Sequence, residues 1–272
     1  LIDFLFQSYG IGAQSCATLL AILAVASFLS GLSGFGFSAV GAAVLWIIPA
    51  AQAVPFLMAL SIASQLAAST ELGISATALH RWLPDAPAPY IVGGLLGLPA
   101  GLWVLRDLSA SLLATAFGAV LAAYACWSML APKGLKLKTA TPLASLAVGF
   151  VGGFIGGFTA FPGCAVVVWL SLIGLSKQRQ RALLGPYILT MQVVALTMLG
   201  FAGGSAGPVL GLAFWALLAG LVPFVVVFTR LGVAAFHRLN DADFRRVTVG
   251  LLGFSGASLV AKGCAGFVLP AL

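Results

Sequence analysis

Two stretches of this chain bring together the residue types that can interrupt an apolar helix and hold an anion. The first reads Phe28-Leu-Ser-Gly-Leu-Ser-Gly-Phe-Gly-Phe-Ser-Ala-Val-Gly41, the second Phe150-Val-Gly-Gly-Phe-Ile-Gly-Gly-Phe-Thr-Ala-Phe-Pro-Gly163. Glycine costs about 1 kcal/mol relative to alanine inside a helix. Gly31, Gly34 and Gly36 in one stretch, and Gly152, Gly153, Gly156 and Gly157 in the other, therefore predict breaks. Pro162 has no backbone donor and suits the first turn of a helix, so a new helix is expected at Pro162-Gly163-Cys164. Unpaired N–H groups and the helix dipole at such a start attract anions. Small side chains at Gly36, Ser38 and Gly163 would let a small oxyanion reach the backbone.

The expected contacts are Gly34, Phe35, Gly36, Phe37 and Ser38 from the first stretch and Thr159, Pro162, Gly163 and Cys164 from the second. Gln65 and Gln192 join them, as costly amides in otherwise apolar segments. The competing reading is packing: small residues line membrane helix contacts, and amides hydrogen-bond between helices. Glu71 and Lys262, ionisable groups near the ends of apolar segments, are candidates for coupling; interfacial positions, with Lys262 snorkelling, are the alternative. Catalysis is not expected. Only two histidines exist, His80 and His237, both read as loop residues. No HExxH occurs, and Cys16, Cys126, Cys164 and Cys264 form no CxxC pair, so neither a metal nor a cofactor is expected. The cysteines read as buried free thiols.

These residues must be positioned by membrane helices. Hydrophobic residues make up 61% of the 272 and charged residues 7%, against about 25% charged in a soluble domain. A crossing helix needs roughly 20 apolar residues, and unbroken hydrophobicity argues against barrel strands, which alternate. The segments are Gln14–Ile48, Ala53–Thr70, Ala88–Leu105, Leu108–Leu130, Pro142–Ile173, Ala182–Phe201, Pro208–Phe228 and Val247–Cys264. The expected fold is all-α and polytopic, about eight segments in two four-segment repeats, with the first and fifth broken or re-entrant. The basic linker Pro132–Thr141 divides the chain into repeats 1–132 and 133–272. Gly34 then matches Gly156, Gly41 matches Gly163, and Gln65 and Gln192 fall at similar places. Glycine-interrupted segments at corresponding positions point to a transporter site. Four crossings per half make the repeats parallel; two crossings within each overlong segment would make them inverted.

Loop Lys and Arg set the orientation. Arg106, Lys177, Arg179, Arg181, Arg230, Arg238, Arg245 and Arg246 fall in one set, Arg81, Lys133, Lys136 and Lys138 in the other. The larger set is expected in the cytoplasm. Basic loops beside anionic lipid account for the net charge of +7 without nucleic acid. Trp46, Trp82, Tyr90, Trp103 and Trp127 read as aromatic belts. The start Leu1-Ile2-Asp3 does not read as a signal peptide.

At the two glycine-rich openings, and at the loop Ser176-Lys-Gln-Arg-Gln-Arg-Ala182, the sequence resembles the TauE/SafE family of sulfite exporters, also called the 4-toluene sulfonate uptake permease family. The four-plus-four layout extends the likeness over the chain. One departure is Val40-Gly41-Ala42, where many members carry a proline. The resemblance implies a bacterial inner-membrane transporter moving sulfite, sulfoacetate, another organosulfonate or a related sulfur compound. An anion uniporter, a channel and an uptake permease are the alternatives, a membrane enzyme or assembly subunit the remoter ones. The implied partners are a small anionic substrate and membrane lipid, with self-association left open. The expected site is a cavity between the two glycine-rich segments.

Overall fold

The computed structural model describes residues 13–41, 43–44, 47, 50–71, 87–107, 115, 118–119, 122–123, 125–126, 141–159, 161–201 and 211–268. Among them there is no strand. The helices are α1 (Ala13–Ser33), α2 (Gly36–Gly41), α3 (Ala50–Glu71), α4 (Pro87–Asp107), α5 (Pro142–Thr159), α6 (Gly163–Leu172), α7 (Lys177–Phe201), α8 (Leu212–Arg238) and α9 (Asp241–Val268). In an apolar solvent every backbone group must be satisfied within the chain, and helices do this segment by segment. Gln14–Ser33, Lys177–Gly200 and Phe214–Arg238 are long and apolar enough to cross a membrane. The expected fourth segment lies mostly outside the described residues, as do Trp46, Trp82, Trp127 and His80.

Both overlong segments are broken. The first is interrupted at Gly34–Phe35, between α1 and α2, and the fifth after Thr159, with α6 starting at Gly163. Six and ten residues at ~1.5 Å rise are far too short to span the ~30 Å core. α6 ends in a Schellman turn: Gly174 takes φ 67°, its N–H donates to the Ser171 carbonyl, and the Leu175 N–H donates to that of Leu170.

The chain divides into two compact units. The first uses described parts of Leu1–Ile74 and Ile188–Arg238, the second of Ser75–Tyr187 and Leu239–Leu272. Each thus draws on both sides of the 132/133 boundary.

In the first unit α1, α3 and α8 pack together and α2 lies against α1 and α3. Leu19, Leu23, Phe56, Leu60, Phe214, Leu217 and Leu221 form its core, joined by Phe37 and Val44 of the return segment. Ser64 and Gln65, late in α3, sit beside Ser30 and Gly34, at the end of α1. The two helices therefore run the same way, and the residues between Gly34 and Ala50 bring the chain back. Glu71 pairs with Arg230 at 3.0 Å. Five segments lie between the two in the loop assignment, which therefore puts them on opposite sides; the ion pair corrects that. Arg230 and His237 also lie within α8 rather than in a loop. Cations in a last turn complement the helix dipole, so the helix outlasts its apolar stretch.

In the second unit α4 and α5 run parallel through two glycine stripes. Added Cβ atoms at Gly93, Gly97 and Gly101 would lie 2.0–2.1 Å from the carbonyls of Leu146, Phe150 and Phe154. In return Gly149 and Gly153 face the backbone of Tyr90 and Gly94. The other members of the paired glycines, Gly152 and Gly156, face Pro162 instead. The doubled pattern thus serves two neighbours, one on each face of α5. Tyr90 is fully buried here, so it is a packing residue and not part of an aromatic belt; Trp103, 65% exposed, fits the belt.

The basic turn before α7 belongs to the second unit. The Lys177 N–H donates to Asp241 Oδ1 at 3.1 Å and its ammonium to the Leu239 carbonyl. The carboxylate thereby caps a helix start that carries three cations, an arrangement the dipole alone disfavours.

Candidate functional site

The first unit gathers the polar groups around the break. Gly34 holds φ 91°, a left-handed conformation that costs other residues roughly 1–2 kcal/mol. Its N–H donates to the Ser30 carbonyl at 2.8 Å, and its carbonyl accepts from Gln65 Nε2 at 2.6 Å. Ser33 Oγ accepts the Gly36 N–H at 3.0 Å and reaches that of Phe35 at 3.4 Å, so it caps α2. Beneath the break Ser64 Oγ donates to Ser30 Oγ at 2.8 Å and lies 2.9 Å from Thr229 Oγ1, tying α1, α3 and α8 by hydroxyls. The backbones meet closely there: a Cβ on Gly31 would lie 2.0 Å from the Thr229 carbonyl, and one on Gly232 the same distance from that of Phe28.

Gln192 approaches the same segment from α7. Its Nε2 donates to Ser38 Oγ at 3.4 Å. Its Oε1 is buried with no hydrogen-bond partner among the described residues, and the residue is 1% exposed. An unmet buried polar atom costs about 1–3 kcal/mol, so it marks a place for a ligand or a water. Turned over about its last torsion, the amide would accept from Ser38 and present its two N–H donors to that place.

Of the residues singled out from the sequence, Gly34, Phe35, Gly36, Phe37, Ser38, Gln65 and Gln192 come together in this unit. The two glutamines converge on one break instead of each serving its own. Phe35 and Phe37 are buried at 1%. The Gly36 N–H is not free for a ligand, since Ser33 takes it, and a Cβ on Gly36 would strike the Leu29 backbone at 2.6 Å. Its smallness serves the turn.

Pro162, Gly163 and Cys164 lie in the second unit at the start of α6. Pro162 is the N-cap residue and no side chain caps the helix. Cys164 is fully buried and its thiol donates to the Phe161 carbonyl at 3.0 Å. Pro162 folds back over Gly152 and Gly156, beside Tyr187, whose hydroxyl donates to the Gly149 carbonyl at 2.9 Å. Thr159 is the last residue of α5, and Lys262 falls in α9; their side chains lie outside the described residues. Glu71, 43% exposed with its partner 60% exposed, is a surface ion pair.

Sequence reasoning missed Ser30, Ser33, Ser64 and Thr229. The signal was present: Ser27, Ser30 and Ser33 recur every three residues on one helix face, and Ser61 and Ser64 repeat the interval. The cysteines are free as expected, but Cys126 and Cys264 are exposed on their helices. No group of metal-ligating residues occurs among the described residues.

Apolar helices interrupted by a polar-lined break, with the broken backbone satisfied inside the protein, are the arrangement expected of a membrane protein that handles a polar solute. The family comparison agrees. The chain belongs to the sulfite exporter TauE/SafE family, whose model matches residues 19–259. No curated protein and no solved structure matches it.

Proposed function

We propose that this protein is a multi-pass secondary transporter of a bacterial inner membrane, exporting a small sulfur-containing oxyanion such as sulfite, sulfoacetate or another organosulfonate. The carrying observation is the break at Gly34–Ser38, where Gln65 and Gln192 converge and one buried amide atom of Gln192 lacks a partner. Sulfite and sulfonates present several acceptor oxygens, and neutral amide and hydroxyl donors suit them. Such donors hold an anion weakly enough to release it, as transport requires. An anion leaving a cell that is negative inside gains about 2.3 kcal/mol per charge per 100 mV, so the membrane potential alone can drive export. The transport-protein reading leaves catalysis no role.

Proteoliposome flux assays with sulfite, sulfate, sulfoacetate and thiosulfate test this. Flux of at least one sulfur oxyanion, responding to an imposed potential, is expected. Flux of none would overturn the reading.

A further inference from the structure

We infer that the site around Gly34–Ser38 takes a singly charged oxyanion and rejects doubly charged ones. The inference rests on the transport reading above and concerns which ionic form is recognised.

In the segments that build the first unit, the sequence carries only Asp3, Glu71, Arg230 and Arg238 as charged residues, with His237 as the remaining titratable base. Asp3 lies outside the described residues. Arg230 is held by Glu71 at 3.0 Å, and both are substantially exposed. His237 and Arg238 occupy the exposed last turn of α8. The groups that reach the break are all neutral: Gln65 on the Gly34 carbonyl, Ser33 on the Gly36 N–H, and Gln192 on Ser38. The amide of Gln192, whose oxygen has no partner among the described residues, is the group left for a ligand; turned over, it offers an anion two N–H donors.

Dipoles and cations differ in what they can hold. The cost of taking an ion out of water grows as the square of its charge, whereas its attraction to fixed dipoles grows only in proportion. Doubling the charge therefore raises the cost about fourfold and the return about twofold. A ring of amides and hydroxyls can balance one charge shared over several oxygens. Two charges need a cation, and among the described residues of the first unit none reaches the break. Hydrogen sulfite and singly charged alkyl sulfonates satisfy this rule; sulfate, fully ionised sulfite and fully ionised sulfoacetate do not, so the rule narrows the proposed substrates to the singly charged ones.

The test is counterflow of labelled sulfite in proteoliposomes, with equal pH on both faces, at several pH values spanning the second ionisation of sulfite. At fixed, subsaturating total sulfite the exchange rate should follow the singly charged fraction, falling by roughly tenfold per pH unit above that ionisation. Methanesulfonate, singly charged throughout, should inhibit equally at every pH, which separates ionisation of the substrate from a change in the protein. Sulfate in large excess should not compete. A rate that follows the doubly charged form, or sulfate competing as well as methanesulfonate, overturns the inference. Gln192→Lys supplies the absent cation and should make sulfate a severalfold better competitor; a folded variant that does not change counts against the site. If neither sulfite nor any other sulfur oxyanion is exchanged, the transport reading fails, and thermal stabilisation of the purified protein decides separately. Stabilisation by methanesulfonate and not sulfate sustains the charge rule, while equal stabilisation, or none, ends it.

Discussion

The two broken segments reach the same outcome by different chemistry. At Gly34 the chain turns through one glycine with positive φ, and side chains satisfy the opened backbone: Gln65 of α3 on the carbonyl, and Ser33 at the end of α1 on the following N–H groups. At Pro162 the turn is made by a residue with no donor to lose. It is then buried against Gly152 and Gly156, and the neighbouring thiol closes on its own backbone. The first break is polar and keeps an unmet atom beside it; the second is packed. Glycine richness alone does not distinguish them, because glycine serves φ at one position and close approach at most of the others. What separates them is the company of amides and hydroxyls.

The largest expected effect lies in the packed region. Gly153→Val would place a branched side chain where even a Cβ lies 2.1 Å from the Gly94 carbonyl. Overpacking typically costs about 1–3 kcal/mol and occasionally more, and here the obstacle is backbone. Little folded protein should be recovered in detergent. Gly250→Ala, with nothing within 4 Å of the added atom, should keep or raise the melting temperature, since alanine favours a helix by roughly 0.5–1 kcal/mol. If both variants melt alike, the stripe between α4 and α5 is not the contact that fixes this unit.

The polar break should respond in function more than in folding, and its two glutamines should differ. Gln65→Leu strips the donor from a buried carbonyl and should cost about 1–3 kcal/mol of stability. Gln192→Leu removes an amide that already carries an unmet atom, so its stability cost should be close to zero. Its transport loss should be larger: one donor worth about 1–2 kcal/mol in a membrane interior is roughly a five- to thirtyfold fall in flux. Melting temperature and flux measured on both variants check this. Flux unchanged in Gln192→Leu would reduce the first break to the same packing role as the second.

How much of this was legible is decided residue by residue. Pro162 announced its helix start, because a missing donor and a fixed φ leave few other positions for proline. The break at Gly34 was also announced, without the proline that many family members carry after the glycine run. Gln65 and Gln192 were identifiable as costly amides, but not their convergence. Periodicity and repeat spacing speak of neighbours along the chain, and the glutamines meet across it. The return of the chain after Gly34 was hidden for the same reason: a long apolar run reads alike whether it crosses once or doubles back. Gly93, Gly97 and Gly101 repeat every four residues, a stripe and not a cluster, and a stripe at that spacing leaves the helix unbroken.

Cysteine chemistry offers a smaller contrast. Cys164 is fully buried behind Pro162, while Cys126 and Cys264 are exposed. In detergent a maleimide should modify Cys126 and Cys264 and leave Cys164 and the buried Cys16 unreacted until the protein is unfolded. Cys164→Ala should shift the melting temperature modestly and flux by less than Gln192→Leu does, if the second break is packed. Fast labelling of Cys164, protected by sulfite, would instead make that break as open as the first.

The smallest effect is expected at the pair Glu71–Arg230, and it bears on whether Glu71 takes part in coupling. Both side chains are substantially exposed, and their contact is 3.0 Å. An exposed pair contributes about 0.2–1 kcal/mol because solvent screens it and ordering two long side chains offsets the attraction. Glu71→Gln, Arg230→Gln and the double variant form a cycle that isolates the pair, and its coupling should fall within that range. Flux should stay within a small factor of the starting protein in all three, since the pair reaches the Gly34 break only through intervening residues of α3 and α8. A gradient-driven transporter whose coupling ran through Glu71 would behave otherwise. It would keep exchange across the membrane but lose accumulation in Glu71→Gln, with Arg230→Gln following because the carboxylate would lose its partner. Measuring exchange and accumulation on the same vesicles separates the two cases. Loss of accumulation alone would move Glu71 from the surface into the mechanism, and the polar break would then have an ionisable group working with it.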